Sequence, residues 1–352
     1  MSRETLHHLN TNTLIGNTDA RGTAWHYRAE DQGEESNHYP GPIPVADVER
    51  RLFNWEAVSR RVGVEVPADV NTMTHLSDAG DSMRWAVVES KQAICRDDND
   101  SVMGIFAPSY AMHSYREWLV GTVSDILDDD LSISSAGLLR AGAVAWVEVS
   151  VPESITTPEG VEFRPNLLAT TSFDGSIATT FKRTVTDVVC DNTREAALAE
   201  QGPTYRVKHT RYSHAQLAPA REALAVVHTL AEEFTREIAR LCRIEVSERA
   251  WERFLDLQVS RLDGSGVPLT GRALTVAVKK RDALQRLYRQ DARVAPWAGT
   301  AHGVIQAINT YEHHESTVRG LARGERNMLR AITGDFGKLD RSTMGTLEMA
   351  LA

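Results

Sequence analysis

The chain has 352 residues, of which 42% are hydrophobic and 25% charged, and its formal net charge is −9. This composition is typical of a globular protein and excludes a largely disordered chain. No apolar run approaches the roughly 18 residues of a membrane span, and the first residues lack the apolar core of a signal peptide. Cys95, Cys190 and Cys242 are far apart and fit free thiols in a reducing compartment. We therefore expect a cytoplasmic protein without a membrane partner.

The first half of the chain is predicted to alternate between irregular, helical and extended segments. Residues 1–45 are polar and rich in Asn, Thr, Gly, Glu and Pro, which predicts an irregular arm. Apolar residues at helical spacing predict helices over 45–55 and 115–127. Runs of apolar and β-branched residues predict strands over 83–89, 101–107, 131–135 and 143–151.

A hairpin and a series of helices are predicted for the second half. Asp174-Gly175 suits the tight turn between strands 167–172 and 177–181. A strand over 185–190 is followed by a helix from residue 192, with Asn192 or Thr193 as its cap. A strand over 205–209 precedes five helical stretches, which cover residues 217–243, 248–259, 276–289, 304–313 and 319–332.

This order of elements predicts an α+β fold, with a β-rich central domain that contains embedded helices and a helical C-terminal region. We place an irregular polar arm at residues 1–45, the α+β core domain at 46–212 and the helical region at 213–352. A doubly wound fold is disfavoured, because strands and helices occur in blocks.

Few signatures of catalysis are present. The segment 264–271 lacks the GK[ST] ending of a phosphate-binding loop, and neither a GxSxG nor an HExxH motif occurs. Histidine pairs such as His313-His314 point in different directions on a regular element, and the acidic run at 125–130 lacks the glycine and glutamate of a calcium loop. No metal or other cofactor is therefore predicted.

A metal-dependent nuclease is one alternative. Asp81 precedes a predicted strand that ends in Glu89-Ser-Lys91. Two carboxylates and a lysine in this order can surround Mg²⁺, which activates water and binds the phosphate. The pattern is short and also fits an ordinary exposed strand end.

A candidate nucleic-acid surface lies between residues 181 and 212. Charge favours the C-terminal part, since residues 201–352 carry 23 basic and 17 acidic side chains, and residues 1–200 carry 16 basic and 31 acidic ones. Basic side chains bind phosphates, and aromatic rings stack on unpaired bases. The candidate residues are Lys182, Arg183, Arg194, Tyr205, Arg206, Lys208, Arg211 and Tyr212.

Several segments together resemble a phage/plasmid-like protein family of unknown function. They are Trp25-His26, residues 110–118, the hairpin 135–147, Phe173-Asp-Gly-Ser176, residues 188–193, Lys208-His-Thr210 and residues 299–311. The resemblance spans roughly residues 20–315. One departure is Thr186-Asp187, where the family pattern has Arg-Val.

The resemblance implies a phage, prophage or plasmid context, but no activity. The central order of elements is similar to the helix–sheet–helix core of single-strand annealing proteins, which assemble into rings or filaments around single-stranded DNA. The leading hypothesis is a non-catalytic, homo-oligomeric protein of the host-cell cytoplasm that binds single-stranded DNA in recombination or replication. The alternatives are the nuclease and a host-interaction or structural phage protein that binds a host protein through its C-terminal helices.

Overall fold

The chain forms two compact units. The computed structural model describes residues 14–17, 35–67, 83–124, 131–150, 154–187, 192–195, 204–210, 227–320 and 323–352. Unit 1 contains Met1–Val149, Leu168–Phe181 and Tyr205–Leu224. Unit 2 contains Ser150–Leu167, Lys182–Thr204 and Ala225–Ala352.

Unit 1 is built mainly from strands. A three-stranded antiparallel sheet has the order β3-β4-β5, and in unit 1 a larger sheet has the order β10-β9-β7-β6-β1-β2, with β12 paired to β10. The strands are β1 (Leu14–Asn17), β2 (His38–Tyr39), β3 (Ala57–Pro67), β4 (Met83–Arg96), β5 (Val102–Phe106), β6 (Ser132–Leu139), β7 (Val144–Ser150), β9 (Glu162–Ser172), β10 (Thr179–Asp187) and β12 (Thr204–Val207). Helix α1 spans Val45–Leu52, and a π-helical segment, Arg116–Gly121, continues into a short helix, Thr122–Ser124.

The centre of unit 1 is an apolar layer on both faces of β7. All seven residues of β7, which lies between β6 and β9 in the sheet, are buried, so both of its faces are covered. Its one carboxylate, Glu148, accepts a hydrogen bond from the Ser135 hydroxyl at 2.9 Å. Trp118 and Trp146 are fully buried in the same unit. A burial of this kind is stable because the only charged group on the strand has a hydrogen-bond partner.

Unit 2 combines short strand pairs with a helical core. Strand β8 (Ile155–Thr156) pairs with β9, and β11 (Asn192–Glu195) pairs antiparallel with β10. Ser247 and Thr300 accept backbone N–H groups at the starts of the helices Glu248–Gln258 and Ala301–Thr310, as helix caps do. The helices are α2 (Val227–Arg243), α3 (Glu248–Gln258), α4 (Gly271–Gln290), α5 (Ala301–Thr310), α6 (Arg323–Thr333) and α7 (Asp335–Leu351). Apolar residues of α3, α4, α5 and α7 form one core cluster.

The predicted α+β class is confirmed, with a β-rich N-terminal part and a helical C-terminal region. The helix predicted from residue 192 is wrong at its start, because Asn192–Glu195 is a strand that pairs with Asp187–Thr184 of β10. The sequence there suits a helix cap, but pairing with the free edge of β10 is more favourable than the helix. The acidic run at 125–130 and Cys190 lie outside the described residues, while Cys95 and Cys242 are free thiols.

Candidate functional site

Two of the eight predicted nucleic-acid contacts point into the protein. Lys182 is 5% exposed, and its ammonium group donates to the carbonyl oxygen of Ala331. Arg183 is 8% exposed and forms an ion pair with Glu233, with 3.1 Å between Nη2 and Oε2. Both cations therefore bind partners within unit 2, and neither is a surface group that could contact a phosphate.

Two exposed cations of the predicted set lie at the end of strand β12, Arg206 within it and Lys208 directly after it. Arg206 and Lys208 are exposed, and Val207 between them is fully buried. Arg206 forms no ion pair within the part of the chain that the structure describes. Arg194 lies on β11 and Tyr205 on β12, but their side chains are outside the description, as are residues Arg211 and Tyr212 altogether.

The nuclease pattern is only partly visible. Glu89 and Lys91 are exposed on β4, where its pairing with β3 is irregular. Between two successive pairs, Arg61–Gln92 and Gly63–Val87, β3 advances by two residues and β4 by five. Asp81 lies outside the described residues, so the convergence of the three side chains stays a prediction. Among the described residues, no group of three or more His, Cys, Asp or Glu side chains is arranged to hold a metal ion.

A column of stacked rings lies at one place in unit 1. Consecutive ring centroids are 4.0, 5.0, 4.0 and 3.7 Å apart, and each pair is within 17° of parallel. The column consists, in order, of Phe106, Tyr110, His209, His113 and Trp118. Stacking of this kind adds about 0.5–1.5 kcal/mol per pair to the gain from burial. It fixes the segment around residue 110 against the segment around residue 209.

Two threonines bridge the two stacked histidines. His113 Nδ1 lies 2.5 Å from Thr179 Oγ1, Thr179 Oγ1 lies 2.7 Å from Thr171 Oγ1, and Thr171 Oγ1 lies 3.2 Å from His209 Nε2. His209 Nδ1 lies 3.2 Å from the carbonyl oxygen of Ala111. We call His113, Thr179, Thr171 and His209 the histidine clasp.

The carbonyl of Ala111 fixes the direction of every proton in the clasp. A carbonyl oxygen only accepts, so His209 Nδ1 carries the proton and Nε2 accepts from Thr171. Thr171 must then accept from Thr179, and Thr179 must accept from His113 Nδ1. Each hydrogen bond within the clasp thus has one donor and one acceptor with both imidazoles neutral. Protonation of His209 at Nε2 would make that nitrogen a donor and require the hydrogen bonds through Thr171 and Thr179 to reverse.

Burial keeps the clasp uncharged. It lowers the pKa of His209 to about 4, and this effect outweighs the opposing hydrogen bond to Ala111. Thr171 and Thr179 are fully buried and His113 is 1% exposed. None of these hydroxyl groups reaches solvent, so the clasp can position β9, β10 and the segments around residues 110 and 209, but it offers no exposed nucleophile.

A left-handed turn lies in the same unit and is held by an ion pair. Arg140, Ala141 and Gly142 have φ values of 54°, 55° and 92°. Left-handed backbone costs a non-glycine residue about 1 kcal/mol or more, so the turn must be held by its surroundings. The Arg140 guanidinium donates to Asp174 Oδ2 at 2.8 Å and to Ser176 Oγ at 2.9 Å. Burial alone would raise the pKa of Asp174, but the hydrogen bonds from Ser176 and Arg140 hold it below its usual value.

A second polar cluster lies within the core of unit 2. Helix α5 is buried on all sides, and its Asn309 contacts helix α7. Asn309 Nδ2 donates to Asp340 Oδ1 at 2.6 Å, and the His313 ring stacks on Phe336 at 3.8 Å. These two contacts place α5 and α7 antiparallel. Because Asp340 and His313 are each 1% exposed, this cluster orders the helices rather than presenting a site to solvent.

None of the four clasp residues is among the eight predicted site residues. His113, Thr171 and Thr179 are single polar residues in apolar or mixed segments, and neither spacing nor charge distinguishes them. The signal that could have found them is the set of family-like segments, since 110–118, 173–176 and 208–210 all contribute to the clasp or to the adjacent turn. Segments far apart in sequence that meet in one unit are candidates for a shared role.

Comparison with known proteins gives a family but no activity. One family model, described as a domain of unknown function, matches residues 102–333. Neither a curated protein nor a solved structure matches the chain. Within the described ranges, every helix is too short or too polar to cross a membrane. The matched range includes the histidine clasp, the left-handed turn and strand β12.

Proposed function

This chain belongs to the DUF932 family of proteins, and from that premise we propose that it binds single-stranded nucleic acid without catalysing a reaction. The proposal includes a phage-encoded role in recombination or replication, in the cytoplasm of the host cell, and a homo-oligomeric state. Single-stranded DNA is the expected ligand. No cofactor is needed for this role, since binding depends on charge and ring contacts.

One observation carries the proposal, namely the alternation of burial at the end of β12. Arg206 and Lys208 are exposed and Val207 between them is buried, so two cations two residues apart face solvent where the strand ends. Two residues along a strand span about 7 Å, which is close to the repeat of phosphates along an extended single strand. A strand at this position can therefore contact successive phosphates.

The ring column supports the same surface. Tyr110 and His209 are half-buried, and His209 follows Lys208 directly in sequence. Both faces of the Tyr110 and His209 rings are covered within the column, so these rings support the surface, and base stacking belongs to the predicted contacts Tyr205 and Tyr212. The histidine clasp would hold this surface rigid, so little conformational entropy would be lost on binding. The side chains of Arg194, Tyr205, Arg211 and Tyr212 stay predicted contacts of the same ligand.

The charge of unit 1 limits the strength of binding. Unit 1 has 16 basic and 25 acidic side chains, whereas unit 2 has 23 of each. The net negative charge of unit 1 repels a polyanion, while the exposed cations attract it locally. The affinity should therefore decrease as salt is added.

Titration of a fluorescently labelled oligonucleotide tests the proposal. Two phosphate contacts predict that the logarithm of the affinity falls with the logarithm of salt concentration with a slope of about −1.4, and Arg206→Ala should remove about 0.7 of it. Arg236→Ala, an exposed cation of α2 in unit 2, is the matched control and should leave the slope unchanged. Absence of binding at low salt, or equal slopes for Arg206→Ala and the unmodified chain, would contradict the proposal.

A further inference from the structure

The first half of helix α4 and the loop before it contribute no buried side chain to the core of unit 2. We call residues 260–279 the arm, which is distinct from the irregular polar arm predicted at residues 1–45. The buried residues of α4 are Leu284, Leu287 and Tyr288, all in its second half. The first nine residues of the helix, about 14 Å of its length, contain no buried side chain, and of them the partly buried Ala277 packs against the core.

The arm exposes aliphatic side chains that a solvated surface would not require. Their exposed fractions are 49% for Leu262, 56% for Val267, 59% for Val276 and 38% for Val278. Four exposed aliphatic residues within one twenty-residue segment are typical of an interaction surface. The arm thus has the apolar content of a binding surface.

The arm is also positively charged and pre-ordered. Arg261, Arg272 and Lys279 are exposed and form no ion pair within the described ranges. Its one carboxylate is occupied, because Asp263 accepts the backbone N–H groups of Ser265 and Val267 at 2.9 Å each. The turn at 263–267 is therefore fixed before any partner binds, which lowers the entropic cost of association.

A matching surface of opposite charge lies on unit 1. Strand β5 is an edge of the three-stranded sheet, and it exposes Val102 (60%) and Ile105 (54%). Asp97 and Asp100 are exposed in the turn that leads into it; Asp97 accepts the backbone N–H of Glu56 at 2.8 Å, and Asp100 pairs with the exposed Arg60 at 3.4 Å. Unit 1 as a whole has 16 basic and 25 acidic side chains. An exposed apolar edge strand is itself a site that proteins usually cover.

We propose that the arm of one copy docks on strand β5 and the adjacent acidic turn of a second copy. The two surfaces are complementary in charge and both expose aliphatic side chains, and they belong to different units of the same chain. Such a contact is head-to-tail, so each added copy leaves one arm and one β5 surface free, and the assembly closes into a ring or grows as a filament. The inference deepens the homo-oligomeric part of the proposed function and rests on that part alone.

Sedimentation velocity of the full chain without nucleic acid tests this contact. Reversing the arm with Arg272→Glu and Lys279→Glu should weaken self-association about tenfold, and so should Asp97→Lys with Asp100→Lys on the other surface. Combining the four substitutions should restore association, because the charges are again opposite. Arg236→Glu with Arg243→Glu reverses two exposed cations of α2 and should have no effect.

The uncharged pair Val102→Ser and Val276→Ser separates the apolar part of the contact from the electrostatic part. It should weaken association while leaving its salt dependence unchanged. A chain that stays monomeric at all concentrations, or four substitutions that fail to restore association, would overturn the proposal. Arm reversal that leaves self-association intact but weakens oligonucleotide or host-protein binding would also overturn it and assign the arm to that partner. Because no DNA is present, failure here is distinct from failure of DNA binding.

Discussion

Gly303→Ala is expected to destabilise unit 2 by at least about 3 kcal/mol. Gly303 lies in the first turn of α5, and an added Cβ would overlap the carbonyl oxygen of Trp297 and lie 2.7 Å from its carbonyl carbon. Those atoms are backbone, so they cannot rotate away as a side chain would. Helix α5 is buried on all sides, and any displacement of it disturbs the Asn309–Asp340 contact. Urea unfolding followed by tryptophan fluorescence measures the change.

Gly345→Ala is the matched control for this prediction. Gly345 also lies within a helix of unit 2, α7, and apart from the adjacent residues and the backbone of its own helix, nothing lies within 4 Å of a Cβ added there. Alanine has a higher helix propensity than glycine, so this variant should gain up to about 1 kcal/mol. Equal free energies of unfolding for the two variants would mean that the close approach of α5 to Trp297 is absent.

Acidification is expected to destabilise unit 1 through His209. The pKa of His209 is about 4 in the folded chain and about 6.5 in an unfolded one, so the unfolded chain takes up the proton first as pH falls. Stability contributed by the neutral clasp is therefore complete above pH 6.5 and is lost as pH decreases below that value. The loss should reach about 2 kcal/mol at pH 5 and about 3 kcal/mol at pH 4.

His209→Gln tests the origin of this pH dependence. Glutamine does not titrate, so the variant should start less stable at pH 7 and lose less free energy of unfolding between pH 6.5 and pH 5. His313 is also buried, and burial places its pKa well below the usual value, so part of the slope belongs to unit 2 and should remain. A slope that His209→Gln leaves unchanged would show that the clasp does not exclude the proton.

The fold could be predicted where local pattern and tertiary structure agree. The continuous apolar run of β7 and the capped start of α3 at Ser247 follow from side-chain chemistry within a few residues. The pairing of β11 with β10 could not be predicted in this way. Asn192 and Thr193 suit a helix cap, and only the free edge of β10 makes a strand more favourable.

The site could be predicted only in part, because charge and burial compete at each cation. Lys182 and Arg183 look like Arg206 and Lys208 in sequence, yet the first two lie inside unit 2 with a carbonyl and a carboxylate as partners. The histidine clasp could not be predicted from local sequence at all. A threonine in a strand and a histidine before a helix become a network only when β9 and β10 bring residues 113, 171, 179 and 209 together.

The tautomer of His209 tests the central structural claim most directly, namely that the histidine clasp holds the family-like segments of unit 1 together. Long-range proton–nitrogen correlation NMR of the chain labelled at histidine distinguishes a protonated Nδ1 from a protonated Nε2. The hydrogen bond to Ala111 predicts a neutral ring with the proton on Nδ1 at pH 7. A proton on Nε2, or a doubly protonated ring at that pH, would contradict the clasp.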